Sequence, residues 1–230
     1  MSHETGSQLA QTIIQQAHNL GATTAGIADI SDLQAAPAYQ GNEPSWDAMA
    51  QAVLVFGVAH PHTIPDRDYW DDKPGGTPGN RHLMEIQKQL KQWLHTALNI
   101  NSVALPYQVT DGGIFLKDAA VLAGLGVIGK NNLLLTPDYG PQIRWRAMFL
   151  DADLLASAPA DFDPCTGCDR PCMAACPQDA FQSGTYDREC CQLQMSKDEA
   201  NPSFYLVPKG GRHIRYCRAC ELACPVAPEG

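Results

Sequence analysis

The first 164 residues of this 230-residue chain hold no cysteine, and all nine cysteines fall between residues 165 and 225. Thiol chemistry is confined to that stretch. Basic residues are also scarce, since 16 Lys and Arg stand against 25 Asp and Glu, a formal charge of -9. That balance opposes broad contact with a phosphate backbone, which rests on clustered cations, so nucleic acid is not the expected partner. No apolar run approaches the roughly 18 to 20 residues that span a bilayer, and no basic amphipathic helix stands out. The opening residues MSHETGSQLAQ carry no positive segment followed by an apolar one. There is thus no sign of export to an oxidising compartment where disulfides persist. The chain reads as soluble and cytoplasmic, with no fixed-period repeat and no low-complexity tract.

The cysteines that are present follow a pattern. CTGCDRPCMAACP places Cys165, Cys168, Cys172 and Cys176 before Pro177, CRACELACP places Cys217, Cys220 and Cys224 before Pro225, and Cys190 and Cys191 lie between. A bacterial ferredoxin run reads C-x2-C-x2-C-x3-C-P, with its fourth cysteine serving the other cluster. The last run keeps the x2, x3 and Pro spacing, whereas Asp169, Arg170 and Pro171 give the first run one extra residue. Soft thiolates select iron-sulfur clusters or zinc, and each cluster takes four of them. Crossing the runs assigns Cys165, Cys168, Cys172 and Cys224 to one cluster. Cys176, Cys217, Cys220 and one of Cys190 and Cys191 form the other, leaving one cysteine spare. Zinc ribbons usually show C-x2-C pairs without the C-x3-C-P tail, so zinc is the weaker reading.

Upstream, residues 7–20 put Leu9, Ile13, Ala17 and Leu20 on one helical face, and residues 22–29 read as a strand. His18 beside that stripe reads as structural. Trp46 to Ala52 reads as a short helix, and AVLVFGVA at 52–59 as a strand buried on both faces. Pro61 to Gly79 is a long irregular loop whose Tyr69 and Trp70 either cover a ligand or anchor the loop. From Asn80, Leu83, Ile86, Leu90, Trp93, Leu94 and Leu98 recur at helical spacing. His82 in the first turn faces the positive helix end and should stay neutral. Ser102 to Val109 reads as a strand ending at Thr110-Asp111-Gly112-Gly113. Gly124, Gly126 and Gly129 match G-x-G-x-x-G, but residues 115–123 look helical and Leu133 to Thr136 look like a strand. A dinucleotide fingerprint needs the reverse order, so the glycines instead suit close backbone approach to a large flat ligand. Gln142 to Leu150 reads as a strand, and residues 155–163 as a domain junction.

Asp111, the glycine segment and the crossed cysteines, in that order, resemble the catalytic core of epoxyqueuosine reductase, a cobalamin and iron-sulfur family related to reductive dehalogenases. The matching segments are Thr110 to Gly113, Ala123 to Lys130, the cysteine layout and, less specifically, Gly79-Asn80-Arg81-His82. The resemblance implies an α+β fold: a nitroreductase-like cobalamin-binding domain over 1–158, then a small bacterial-ferredoxin-like domain with two 4Fe-4S clusters over 159–230. Cobalamin would sit between the domains. Asp111 matches the family's proton-donating acid; its alternative is a cap on a helix starting near Ile114. A carboxyl at an apolar cofactor face can hold a proton near neutrality. Gly112, Gly113, Leu125, Gly126, Gly129, Lys130, Asn131 and His82 match cofactor-contacting positions. The family's isolated cysteine falls four residues after an aspartate, which from Asp187 selects Cys191. The chain stops at Gly230, where the family continues into a helical-repeat domain that helps grip tRNA, and this expectation turns the substrate toward a small molecule.

The leading expectation is a cobalamin-dependent iron-sulfur oxidoreductase that takes electrons from an external donor (flavodoxin, ferredoxin or a reductase). The alternatives are a corrinoid-handling protein without an organic substrate, a plain ferredoxin-type carrier, and a tRNA epoxyqueuosine reductase.

Overall fold

In a computed structural model, residues 3–39, 46, 48–61, 69–202 and 212–226 are described. Two compact units form, one from Met1–Val58, Leu83–Val127 and Arg144–Asp161, the other from Ala59–His82, Ile128–Ile143 and Phe162–Gly230. The unit with the cysteines therefore also takes in residues 59–82 and 128–143, which a cut near residue 158 leaves in the first domain.

Among the described residues the chain runs α1 (His3–Asn19), β1 (Thr24–Asp29), α2 (Ile30–Gln34), β2 (Ala52–Ala59), β3 (Trp70–Asp71), α3 (Pro78–Leu98) and β4 (Ser102–Ala104). It continues through α4 (Leu116–Leu122), β5 (Val127–Ile128), β6 (Leu134–Leu135), β7 (Ile143–Leu150), α5 (Pro171–Ala174), α6 (Arg188–Ala200), β8 (His213–Ile214) and α7 (Ala219–Leu222).

The first unit is built on a four-stranded sheet in the order β1-β2-β7-β4. β1 and β2 run antiparallel, with Ile27 opposite Leu54, and β4 runs antiparallel to β7, with Val103 opposite Phe149. Every residue of β2 is buried, as expected of a β-branched, apolar strand covered on both faces. On one face Leu54, Phe56, Met148 and Leu150 share a core with Ile13 and Ala17 of α1 and with Leu83, Ile86, Leu90 and Leu94 of α3. Their spacing of three and four turns a single stripe of each helix inward. Each fully buried Leu or Phe contributes about 1.5–3 kcal/mol. Toward the other face, Phe149 packs on Trp46, which meets Tyr39, which in turn meets Phe115.

Two local expectations change. Residues 48 and 49 form a turn, Gln51 donates to the Leu150 carbonyl at 2.9 Å and Ala52 already pairs with Asp29, so the helix expected over Trp46–Ala52 is pre-empted by the sheet; Asp47 lies outside the described residues. β4 ends at Ala104 rather than Val109. Pro106 has no amide to continue the ladder, and the Leu105 carbonyl is taken by Gln87 Nε2 at 3.3 Å and Arg146 at 3.2 Å.

In the second unit, β3 pairs antiparallel with β8, Trp70 opposite Ile214 and Asp71 opposite His213. Within the loop expected over Pro61–Gly79, residues 62–68 lie outside the described residues; the remainder forms β3 and opens α3. Tyr69 meets His213 at 4.7 Å and Trp70 meets Tyr216 at 5.8 Å, both edge-on, which is the anchoring role. The short helices α5 and α7, one in each cysteine run, pack on one another.

Candidate active site and metal centres

Asp111, Gly112, Gly113, Leu125 and Gly126 belong to the first unit; His82, Gly129, Lys130, Asn131 and all the cysteines belong to the second. Past β4, a single 3-10 turn over Val109–Asp111 carries the acid. The amides of Asp111 and Gly113 donate to the Gln108 carbonyl at 3.2 and 3.0 Å, and that of Gly112 to Val109 at 3.1 Å. Gly112 closes the turn in the left-handed region at φ 93°, where a glycine avoids the Cβ penalty. Asp111 does not cap α4: the N-cap is Phe115, with no side-chain bond, and its amide donates to the Tyr39 hydroxyl at 2.7 Å. The carboxylate is exposed, and the stretch around it exposes Tyr107 (51%), Val109 (40%) and Phe115 (38%). An acid is thus presented among uncovered apolar side chains on a backbone fixed by its own hydrogen bonds.

The glycine segment follows α4 and precedes short strands, the reverse of a dinucleotide fingerprint. Two of its glycines are required by the protein itself. A Cβ on Gly124, at φ 71°, would lie 2.0 Å from the Ala158 carbonyl oxygen, and one on Gly129 would lie 2.5 Å from Leu135 Cδ1. The close approach expected toward a flat ligand is made, at these two positions, to neighbouring protein atoms. Lys130 and Asn131 reach the cysteine runs: Lys130 Nζ donates to the Cys165 carbonyl at 3.5 Å, and the buried Asn131 Nδ2 to the Cys220 carbonyl at 3.4 Å. His82 is exposed just past the first turn of α3, which begins two residues earlier than expected, and its neighbour Arg81 holds Asp71 through two bonds of 2.8 and 2.9 Å. His18 Nδ1 lies 3.0 Å from the Ala22 carbonyl, as fits a structural histidine.

All nine cysteines are free thiols, and Cys172 and Cys224 are buried. Cys165, Cys168, Cys172 and Cys224 line one small cavity with Lys130, Leu135 and Arg170. Burial raises the thiols of Cys172 and Cys224 above their ordinary value, and charge on Cys165 and Cys168 raises both further. The extra residue of the first run is absorbed at Arg170, which takes the left-handed conformation (φ 59°) directly before Pro171, while its amide donates to Cys168 Sγ at 3.4 Å.

The other set gathers separately. Burial pushes Cys220 up to about 12 and raises Cys217; Cys220 also feels Cys217, Cys191 and Cys176, and Cys217 feels Cys176 and Cys191. The Ala180 amide donates to Cys176 Sγ at 3.4 Å. The doublet divides at the start of α6. Asp187 caps that helix by accepting from the Glu189 and Cys190 amides, and it also takes the Cys190 thiol, raising that thiol above its usual value. Cys191 instead hydrogen-bonds Tyr186, whose hydroxyl is raised by burial and by this thiol. Cys190 also feels Cys176. Among the described residues, no group of three or more His, Cys, Asp or Glu side chains is arranged to hold a metal ion.

Three supports here were missed by the sequence reading. Asp198 accepts from the Cys217 amide at 2.7 Å and from Gln194 at 2.8 Å, and Gln194 accepts from Gln178 at 2.9 Å, linking the tail of the first run to the head of the last. Glu199 holds the Tyr216 hydroxyl at 2.7 Å. Arg218 donates to Glu221 and, at 3.1 and 3.2 Å, to His60 Nδ1 and its carbonyl. The i, i+3 charge pair inside CRACE was the available signal; His60 had none, because it is 158 residues away from Arg218.

No protein-family model matches the chain. Over 151 residues it is 31% identical to epoxyqueuosine reductase of Cyclobacterium marinum, covering 64% of this chain and 48% of that one. Over 115 residues it is 29% identical to tetrachloroethene reductive dehalogenase of Sulfurospirillum multivorans, covering 46% and 22%. The chain is similar to these reductases. The match spans about half the length of the epoxyqueuosine reductases it aligns with, 48% and 52% in two of them. In fold it is similar to epoxyqueuosine reductase solved with a tRNA-Tyr stem loop (TM-score 0.65, 19% identity, 95% of this chain and 65% of that one). It is also similar to a reductive dehalogenase solved in a study of B12-dependent dehalogenation (TM-score 0.56, 18%, 77% and 26%). Both likenesses bear out the resemblance drawn from the motifs and a mixed helix and sheet fold.

One expectation is corrected. A neighbour in fold binds a tRNA stem loop, so the acidic balance of the whole chain does not set nucleic acid aside; net charge averages over a surface whose local patches do the binding. Among the described residues, no helix is long and apolar enough to cross a membrane.

Proposed function

We propose that this chain is a cobalamin-dependent iron-sulfur reductase acting on a small molecule. The observation that carries the reading is the gathering of Cys224 with the first cysteine run and of Cys176 with the last, the crossing that a two-cluster ferredoxin fold uses. The donor set fits two 4Fe-4S clusters. Cys165, Cys168, Cys172 and Cys224 would hold one, and Cys176, Cys191, Cys217 and Cys220 the other. Amides already point at Cys168 and Cys176, and hydrogen bonds to ligand sulfurs are among the features that set a cluster's potential. Thiols raised by burial and mutual repulsion are relieved when they bind iron as thiolates and release their protons.

For the corrin, the fit rests on the Asp111 turn and on the uncovered Tyr107, Val109 and Phe115 around it, which offer an acid at an apolar face. Bound cobalamin would supply a reducible cobalt, and the clusters a path to it for electrons from an external donor such as flavodoxin, ferredoxin or a reductase. Asp111 would hold the proton that the reduction consumes. Anaerobic reconstitution with iron, sulfide and cobalamin is expected to give broad thiolate-to-iron absorption and a corrin band that survives desalting. A corrin that washes away entirely rejects the cobalamin part. Asp111→Asn should retain the band and lose turnover; if cobalt is still reduced and nothing changes, the chain handles corrinoid without an organic substrate.

A second reading is favoured by the tRNA-bound neighbour and by the epoxyqueuosine reductases among the relatives. Here the substrate is an epoxyqueuosine-modified tRNA. It requires measurable binding of an anticodon stem loop with a steep salt dependence, and absence of binding at low salt excludes it.

A further inference from the structure

The turn that follows β5 reaches both cysteine sets. It is closed by its own backbone, the Gly129 amide donating to the Leu133 carbonyl at 2.8 Å and the Asn132 amide to the Gly129 carbonyl at 2.9 Å. From it Lys130 Nζ extends to the carbonyl of Cys165, in the first set, and Asn131 Nδ2 to the carbonyl of Cys220, in the second. Asn131 is 2% exposed and also lines the cavity of Cys165, Cys168, Cys172 and Cys224. Its orientation follows from its neighbours. The Leu133 amide only donates and meets Oδ1 at 3.2 Å, which turns the NH2 group toward the Cys220 carbonyl, a group that only accepts. Gly129 makes room for this arrangement, since a Cβ there would stand 2.9 Å from Asn131 Oδ1. A buried polar group engaged at both ends rigidifies what it joins, and here it joins a turn at one cysteine set to a ligand loop of the other.

We propose that Asn131 is a positioning residue shared by the two iron-sulfur clusters, holding Cys220 of the second set against the cavity wall of the first. The inference rests on the two-cluster reading above. It gives residues 129–131 a task at the clusters, where the family resemblance implies contact with the corrin. Groups that orient metal ligands from outside the ligand shell change metal affinity by about 10–100-fold when they are removed. Because one side chain serves both sets, its loss should be felt at both, unlike the loss of a ligand from either one.

The test compares Asn131→Ser and Asn131→Leu in reconstituted full-length protein. Serine keeps an acceptor for the Leu133 amide, as hydroxyls do in such turns, but is too short to reach Cys220. Leucine fills about the same space and offers neither donor nor acceptor. Each cluster is followed by its own EPR signal, assigned with Cys224→Ala, which removes a ligand from the first set alone. In Asn131→Ser both clusters should hold iron about 10–100-fold less tightly against a chelator. Both midpoint potentials should also move, since hydrogen bonding and solvent exposure around the sulfurs set them, while a corrin band still survives desalting. Should Asn131→Ser not fold, Asn131→Leu decides on the same readouts. A response at one cluster alone, at neither, or a lost corrin band with both clusters unchanged would overturn the proposal. Wild-type protein that binds no cluster defeats the two-cluster reading itself, and the inference with it, and is distinguishable from all of these outcomes.

Discussion

The two cysteine sets lie in one folded unit and are held in place by different forces. The first is lined mainly by Leu135, Pro164, Pro225 and Val226, with Lys130, Asn131 and Arg170 at the same cavity, and two of its four thiols are buried. The second hangs on polar bonds: Asp198 on the Cys217 amide, Asn131 on the Cys220 carbonyl, Arg218 on Glu221 and His60, with Cys217 exposed. Packing is chiefly sensitive to lost volume, whereas a polar network weakens when one of its members is removed. The sets should therefore respond to opposite kinds of perturbation.

The largest effects come from the ligands and test whether the sets are separate at all. Cys224→Ala should remove one cluster and leave the other, halving bound iron, and Cys191→Ala should do the same for the opposite cluster. Cys190→Ala should keep the full iron content and both EPR signals, since its thiol is engaged with Asp187. Loss of a cluster in Cys190→Ala and not in Cys191→Ala would reverse the assignment of the doublet. Loss of both clusters from either ligand variant would show that the sets assemble as one.

Much of this was legible from spacing. The helical stripes of α1 and α3 and the buried run of β2 are local or periodic patterns, and they translate directly into elements. What spacing could not carry were contacts between residues far apart in sequence. His60 meets Arg218 across 158 residues, and Asp198 meets Cys217 across 19. The glycine segment shows the same limit: Gly124 and Gly129 signal that a side chain is excluded, but only the fold shows that Ala158 and Leu135 stand where a Cβ would go. β4 was expected too long because Pro106 was passed over as a ladder terminator.

Next in size is Leu135→Ala, which empties volume beside the first set. Leu135 is 1% exposed, so the loss should cost about 2–5 kcal/mol. Chelator-driven loss of iron from the first cluster should accelerate well beyond that from the second; equal acceleration would erase the distinction between packed and hydrogen-bonded sets. Asp198→Ala is the converse. It removes the acceptor of the Cys217 amide and of Gln194, at about 0.5–1.5 kcal/mol, and should raise hydrogen exchange over residues 213–220 while amides around Cys172 keep their protection.

The smallest effect concerns acid. Burial works against the Asp71 carboxylate, but the hydrogen bonds from Arg81 and the Lys73 amide, together with the charges of Arg81 and Lys73, outweigh it and hold the carboxyl below its ordinary value. A carboxyl depressed in the folded state stabilises fully above its unfolded value of about 3.9 and loses that contribution as pH falls through the lower folded value. Asp71 pairs with His213 in the short ladder that precedes Cys217, so acidification should loosen the approach to the second set while the packed first set is spared. Asp71→Asn removes the term, at a cost of about 1 kcal/mol near neutrality, and the variant should lose less additional protection at residues 213–216 than wild type on going from neutral pH to below that unfolded value. An identical acid response in both proteins would mean that the Arg81 clamp does not govern the ladder.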